Sequence, residues 1–319
     1  MTVNQHLSAL YGLPAYAFPG PGASTDRLPD ADSVAWRVTS DVYDADEDWT
    51  DAFARFLTAV DTTRVRALIV GAWQEAYDTD PSAVIGALLA ARDRLPALRA
   101  LFLGDMVVEE CEISWINQSD VTPLLEGFPE LAEFGVRGGS GLGFTGLRHT
   151  ALRRLTMEAG GLPAAVVRGV GASDLPALEY LDLWLGTSEY GGDSEVADLA
   201  GILSGERLPA LRHLALRNSE MQDDVAASVA DSPVLDRLEV LDLSMGVLTD
   251  DGATALLDGR PLTHLKKLDL HHNYLTEPLQ ERVRATLIPA GVEVDLDRDD
   301  ADEDKDDDGT VWRYVAVGE

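Results

Sequence analysis

The chain has 319 residues, of which 56 are acidic and 25 basic, giving a formal net charge of −31. That acidity opposes nucleic acid and anionic membrane surfaces, both polyanions normally met by basic patches, and it suits a soluble protein with a basic protein partner. Cys111 is the single cysteine, which excludes an intramolecular disulfide and a cysteine-ligated zinc site.

The N-terminal segment carries no basic stretch followed by an apolar one, and no apolar run nears the roughly 18 residues of a spanning helix. A cytoplasmic protein is the expectation. Residues 1–61 read as an N-terminal cap. In it, GLPAYAFPGPG is a turn-rich irregular segment, VAWRV (Val34 to Val38) a strand, and DWTDAFARFLTAV a helix turning Trp49, Phe53, Phe56 and Leu57 inward. From Val65 onward an LxxLxL pattern of apolar residues recurs with first positions at 65, 98, 131, 152, 178, 211, 238 and 265. Successive subtraction gives steps of 33, 33, 21, 26, 33, 27 and 27, a regularity that chance does not supply. Each LxL core has the strand period of two, and helical segments lie between. DPSAVIGALLAARDRL has Asp80 as N-cap and Pro81 at the first helical position; SEVADLAGILSG ends on Gly205. TDDGATALLDGR and EPLQERVRATLI read the same way. GVEVDL adds a short strand, and residues 297–319 form an acidic segment followed by a strand-like tail.

These repeats resemble the leucine-rich repeat superfamily over roughly residues 62–296. Only LKKLDLHHNYL has the full LxxLxLxxNxL form, with Asn273 as its turn residue. Earlier repeats carry Trp73, Met106, Gly139, Gly160, Gly186, Ser219 and Gly246 there. The resemblance implies an α/β, right-handed solenoid, a horseshoe with a parallel concave sheet and helices on the convex side. Stacked strand–helix units favour the same answer, since no unit buries its own apolar face and crossovers are right-handed.

Three columns of side chains follow from the repeat. The middle residue of LxL gives Ile69, Phe102, Gly135, Thr156, Asp182, Ala215, Asp242 and Asp269. Flanking columns contain Arg137, Glu158, Trp184, Arg217 and His271 on one side and Arg154, Tyr180, His213 and Lys267 on the other. All three are expected to face the open concave side. Strands about 4.8 Å apart make eight repeats some 40 Å wide, enough for a protein partner. The C-terminal half holds the candidate partner-binding set: Tyr180, Asp182, Trp184, His213, Arg217, Asp242, Lys267, Asp269 and His271. Aromatic and arginine side chains among charges are typical of interface hot spots.

No catalytic residue, metal ligand set or cofactor motif emerges. Asp242 and Asp269 sit on neighbouring strands, about 5 Å apart, but a flat sheet offers no evident pocket. His271 and His272 are consecutive, so their side chains diverge. GGSGLGFTGL (Gly138 to Leu147) lacks the lysine of a phosphate loop and reads as an irregular connection explaining the short repeat. DKDDDG places Asp304, Asp306, Asp308 and Gly309 at calcium-loop positions, yet Val315 stands where the bidentate glutamate belongs. Residues 295–308 hold ten acids and two bases, a block that is usually solvated.

The HLSALYGLPAYAF and RYVAVGE ends are similar to those of a bacterial cytosolic leucine-rich repeat family whose members tend to be encoded near radical-SAM, ATP-grasp and phosphatase-like proteins. That implies a helper or adaptor in a modification pathway. The expected function is a non-enzymatic protein–protein interaction scaffold. The alternative is a GTPase-activating regulator, because long repeats followed by an acidic tail resemble the Ran GTPase-activating proteins. No small-molecule substrate is evident.

Overall fold

The computed structural model describes residues 3–43, 46–306 and 308–318. Met1, Thr2, Asp44, Ala45, Asp307 and Glu319 lie outside them, so the 1–61 cap, the acidic run and the terminal RYVAVGE are described without these members.

Twelve strands form one sheet in strict sequence order. They are β1 (Ala9–Leu10), β2 (Leu13–Ala17), β3 (Ala35–Val38), β4 (Ala67–Val70), β5 (Ala100–Leu103), β6 (Glu133–Arg137), β7 (Arg154–Glu158), β8 (Tyr180–Gly186), β9 (His213–Ser219), β10 (Val240–Asp242), β11 (Lys267–Asp269) and β12 (Glu293–Asp295). Pairing is antiparallel between β1 and β2 and parallel thereafter. The convex side carries α1 (Trp49–Ala59), α2 (Ser82–Ala90), α3 (Thr122–Gly127), α4 (Ala164–Ala172), α5 (Ala200–Ser204), α6 (Gln222–Ala230), α7 (Asp250–Asp258) and α8 (Glu277–Leu287). The result is the right-handed leucine-rich-repeat-like solenoid that the periodicity predicts.

The register explains the shape. Leu181, Leu214, Leu241 and Leu268 pair across β8 to β11 and are essentially unexposed, so equivalent leucines stack into one continuous core. Asn273 holds the last turn: its Nδ2 donates to the Leu270 carbonyl at 2.8 Å and its Oδ1 accepts from the Leu275 amide at 3.1 Å. Gln222 does comparable work one turn along in an earlier repeat, donating to the Leu216 carbonyl at 2.9 Å. Helix α2 starts one residue later than expected. Asp80 accepts from the Ser82 amide at 2.8 Å as a local turn, which leaves Pro81 as the cap. Between β6 and β7 there is no helix, and Gly138–Leu147 crosses as irregular chain, bridged at Asn117–Ser140 and Asp120–Gly143.

Both ends carry hairpins that the sequence reading does not place, although a strand in the C-terminal tail is expected. GLPAYAFPGPG is irregular only in part: it supplies β2, which pairs with the preceding β1 in a hairpin turning through Tyr11 and Gly12, whose φ values of 56° and 70° suit a primed turn. Strand β2 extends the parallel sheet beyond β3, while β1 folds back over the concave side of β4 and β5. At the other end the acidic run contributes β13 (Glu303–Lys305), which pairs antiparallel with β14 (Val311–Arg313) as a separate hairpin. The carboxylates of Asp304, Asp306 and Asp308 accept from Tyr314, Trp312 and Thr310 respectively, each facing a different partner. Residues 314–318 then return along the loops that follow the strands. The Asn218 side chain clamps Val317 with two bonds, of 2.6 and 2.9 Å. Among the described residues no helix is long and apolar enough to cross a membrane.

Candidate functional site

The middle column lies in register as expected, but its two halves have different fates. Ile69 and Phe102 are fully buried rather than exposed, beneath Leu7, Leu10 and Tyr11 of the N-terminal segment. Apolar side chains at these positions give β1 something to cover, and covering them removes their surface from water. The Phe102 ring lies over the next strand, where a Cβ on Gly135 would come within 2.3 Å of it, so only glycine fits there. Polar contacts fasten the cover. Asp105, unexposed, accepts from the Leu7 amide at 3.0 Å and pairs with Arg37, and Glu133 accepts from the Tyr11 amide at 3.1 Å.

From β6 onward the face carries charges that pair across strands. Arg137 bonds Glu158 at 2.7 Å and approaches Asp105 at 3.4 Å. Arg217 grips Asp182 with two bonds, of 3.0 and 2.7 Å, and lies 3.6 Å from Asp242. Asp182 also accepts from Tyr180 Oη at 3.1 Å. Lys267 Nζ sits 2.9 Å from Asp269, whose other oxygen is 2.7 Å from His271 Nδ1. The Tyr180 ring lies between the Arg154 guanidinium, 3.7 Å from its centroid, and the His213 ring at 4.2 Å.

Electrostatics follow from burial plus these partners. Burial raises the Glu158 carboxyl against the pull of Arg137, and burial likewise raises Asp242 against Arg217. Burial opposes charge on Arg217, but Asp182 and Asp242 hold its pKa above the ordinary value. His213 is lowered to about 4, first by burial and then by the cations Arg154, Arg217 and Lys267, so it is neutral near pH 7. Hydrogen bonding to Asp269 raises His271. Asp269 itself is lowered: burial works against its charge, and the His271 and Lys267 bonds outweigh it.

All nine candidate residues thus lie on one face, yet Asp182, Trp184, Asp242 and Asp269 are buried, with exposures of 2, 7, 7 and 7 %, contrary to the expectation of an open column. The cause is mutual pairing together with the two chain termini. Val3 and Val317 meet Trp184, Met245 and Ile113 in one apolar cluster, so both tails converge on the middle of the horseshoe. A hollow of about 400 Å³ remains there, walled by Arg137, Glu158, Trp184, Arg217 and Met245 and edged by residues 3–5. Asp269, His271 and Asp295 offer ligand atoms within 4.8 Å of one another, but the Lys267 ammonium already supplies a cation to Asp269.

The candidate set drawn from the sequence leaves out Arg137 and Glu158, although the flanking column contains both, and Asp105 is not singled out at all. The first two stand in the same column as Trp184 and Arg217, so extending that column N-terminally finds them. Asp105 follows a strand outside any column, and nothing in the pattern marks it.

No protein family matches the chain, and no curated protein matches it. Among solved structures it is similar to a protein from Bacteroides fragilis, with 29% identity and a TM-score of 0.74, over 85% of this chain and 73% of that one. An internalin from Listeria monocytogenes aligns over 82% of this chain and 74% of its own at 13% identity, but with a TM-score of 0.35 that likeness carries no weight.

Proposed function

We propose that the chain is a non-enzymatic scaffold that binds a protein partner on the open, C-terminal half of its concave face. One observation carries this reading. Trp184 Nε1, His213 Nε2 and His271 Nε2 are buried polar atoms on this face with no hydrogen-bond partner among the described residues. Folded proteins satisfy nearly all such atoms, so their polar demand is unmet in the free chain, and a partner that shifts the side chains over them can meet it. The stacked Arg154, Tyr180 and His213 side chains add a rigid aromatic platform of the kind that anchors interfaces. The pairs Arg217–Asp182 and Lys267–Asp269 fix those groups in place and leave the excess negative charge to other surfaces, where it steers a basic partner.

The proposal includes a cytoplasmic setting and a helper role in a bacterial modification pathway, as the terminal segments' resemblance implies. The GTPase-activating alternative is served less well. An arginine offered in trans must be free to reach a phosphate, and Arg137 and Arg217 are tied to carboxylates.

Affinity capture from the native host tests this reading. Arg154→Ala with Lys267→Ala removes two half-exposed cations, and Asp269 keeps His271 as a partner. A partner recovered with the wild type and lost with the variant, at unchanged melting temperature, is the expected outcome. Equal recovery would reject this face.

A further inference from the structure

Away from the concave face, four large side chains stand exposed around one shallow hollow of about 300 Å³: Tyr43 at 61%, Tyr77 at 42%, Val108 at 38% and Trp115 at 59%. They come from the loops after β3, β4 and β5, so successive repeats deliver them to the same edge of the solenoid. The Tyr43 and Tyr77 rings stack at 5.7 Å with 26° between planes, which presents a flat π surface beside Trp115. Scattered single exposed apolar residues are ordinary; a contiguous aromatic patch is a mark of an interaction site.

The rim is acidic. Tyr43 also borders a neighbouring hollow walled by Asp41, Asp46, Glu47, Glu109 and Glu110, and Glu112 lines the aromatic one. Glu47 pairs with Arg55 and Glu110 with His6, whereas Asp41, Asp46, Glu109 and Glu112 have no ion pair among the described residues. Burial, then the Glu112 and Glu110 carboxylates, push the Cys111 thiol at the base of the patch up to about 11. A second copy of the chain, itself at −31, would bring like charges together, and an anionic membrane would be repelled.

We infer that this edge docks an extended basic segment of a partner protein, with an arginine or lysine laid on the Trp115 and Tyr43–Tyr77 rings and neighbouring cations paired to Asp41, Asp46, Glu109 and Glu112. Aromatic faces attract cations through the ring quadrupole, and unpaired carboxylates around them add both rate and orientation. The inference rests on the scaffold reading for the existence of a partner, but it places the contact on a second surface that can be probed separately.

The test is calorimetric titration of the full chain with a short synthetic peptide rich in arginine and lysine, at low and at physiological salt. Trp115→Ala is expected to weaken binding about tenfold, and Glu109→Gln with Glu112→Gln by a similar factor. Trp312→Ala, on the distant acidic hairpin, and Arg154→Ala with Lys267→Ala, on the concave face, are expected to bind as the wild type does. Unchanged affinity in Trp115→Ala, equal binding of a neutral peptide, or weakening by Trp312→Ala or by the concave-face variant instead would each overturn the inference. So would self-association of the chain that Trp115→Ala abolishes. Loss of native capture in the concave-face variant, with normal peptide binding, bears on the scaffold reading alone.

Discussion

The two halves of the concave face occupy the same positions of the same repeat and behave oppositely. On β4 and β5 the middle column is Ile69 and Phe102, and the chain covers it with its own β1 hairpin. On β8, β10 and β11 the same column is Asp182, Asp242 and Asp269, and the chain pairs it with Arg217, Lys267 and His271 without laying a strand across it. Register makes the columns. The chemistry of the column decides whether the protein covers it with its own strand or leaves it without one.

Breaking the charged half has the largest expected effect. Arg217→Met strands the carboxylates of Asp182 and Asp242, both buried, and removing one partner of a buried ion pair costs about 3–5 kcal/mol. Urea denaturation reads that loss. In the covered half, Phe102→Ala is expected to cost about 3 kcal/mol through lost burial and the cavity left behind. It also loosens the hairpin, so limited proteolysis near Tyr11 and Gly12 becomes faster while capture of a partner on the open half is unchanged. Asn218→Ala removes both hydrogen bonds to Val317 at the meeting point of the tails, for about 1–3 kcal/mol, and the Val317 amide then exchanges faster with solvent.

The smallest effect is a pH dependence confined to the open half. His213 has its folded pKa lowered from 6.5 to about 4. Between those values the unfolded chain takes up a proton that the folded one refuses. The stability tied to its neutrality is therefore complete above about pH 6.5 and is lost as pH falls toward 4. After allowance for solvent screening this amounts to about 1 kcal/mol. His213→Gln should flatten the acid limb of the stability–pH curve by that amount. His271, raised by Asp269, has the opposite sign: its contribution is present below its ordinary pKa and fades as pH rises through the raised one.

The solenoid was legible because each LxxLxL repeat states both a period and an inward face, and stacking leaves one way to bury the leucines. Asn273 was legible for the same reason, since its place in LxxLxLxxNxL specifies its bonds. The columns were legible as neighbours, although their exposure was not. Whether Ile69 meets solvent depends on where Leu10 goes, a contact between residues far apart in sequence that no local pattern encodes. The same holds for Val3 and Val317 at Trp184. The edge patch of Tyr43, Tyr77 and Trp115 lies in the loops that follow the strands, outside the LxxLxL positions, so its members come together only in three dimensions.

Hydroxyl-radical footprinting of the chain, alone and with the partner it captures, tests most directly the division of labour between the two halves. Protection of Tyr180, His213 and His271, with Leu10, Ile69 and Phe102 equally unreactive in both states, is the expected result. A footprint that leaves Tyr180, His213 and His271 unchanged, or a rise in reactivity at Ile69 and Phe102 showing that the hairpin gives way to the partner, would contradict it.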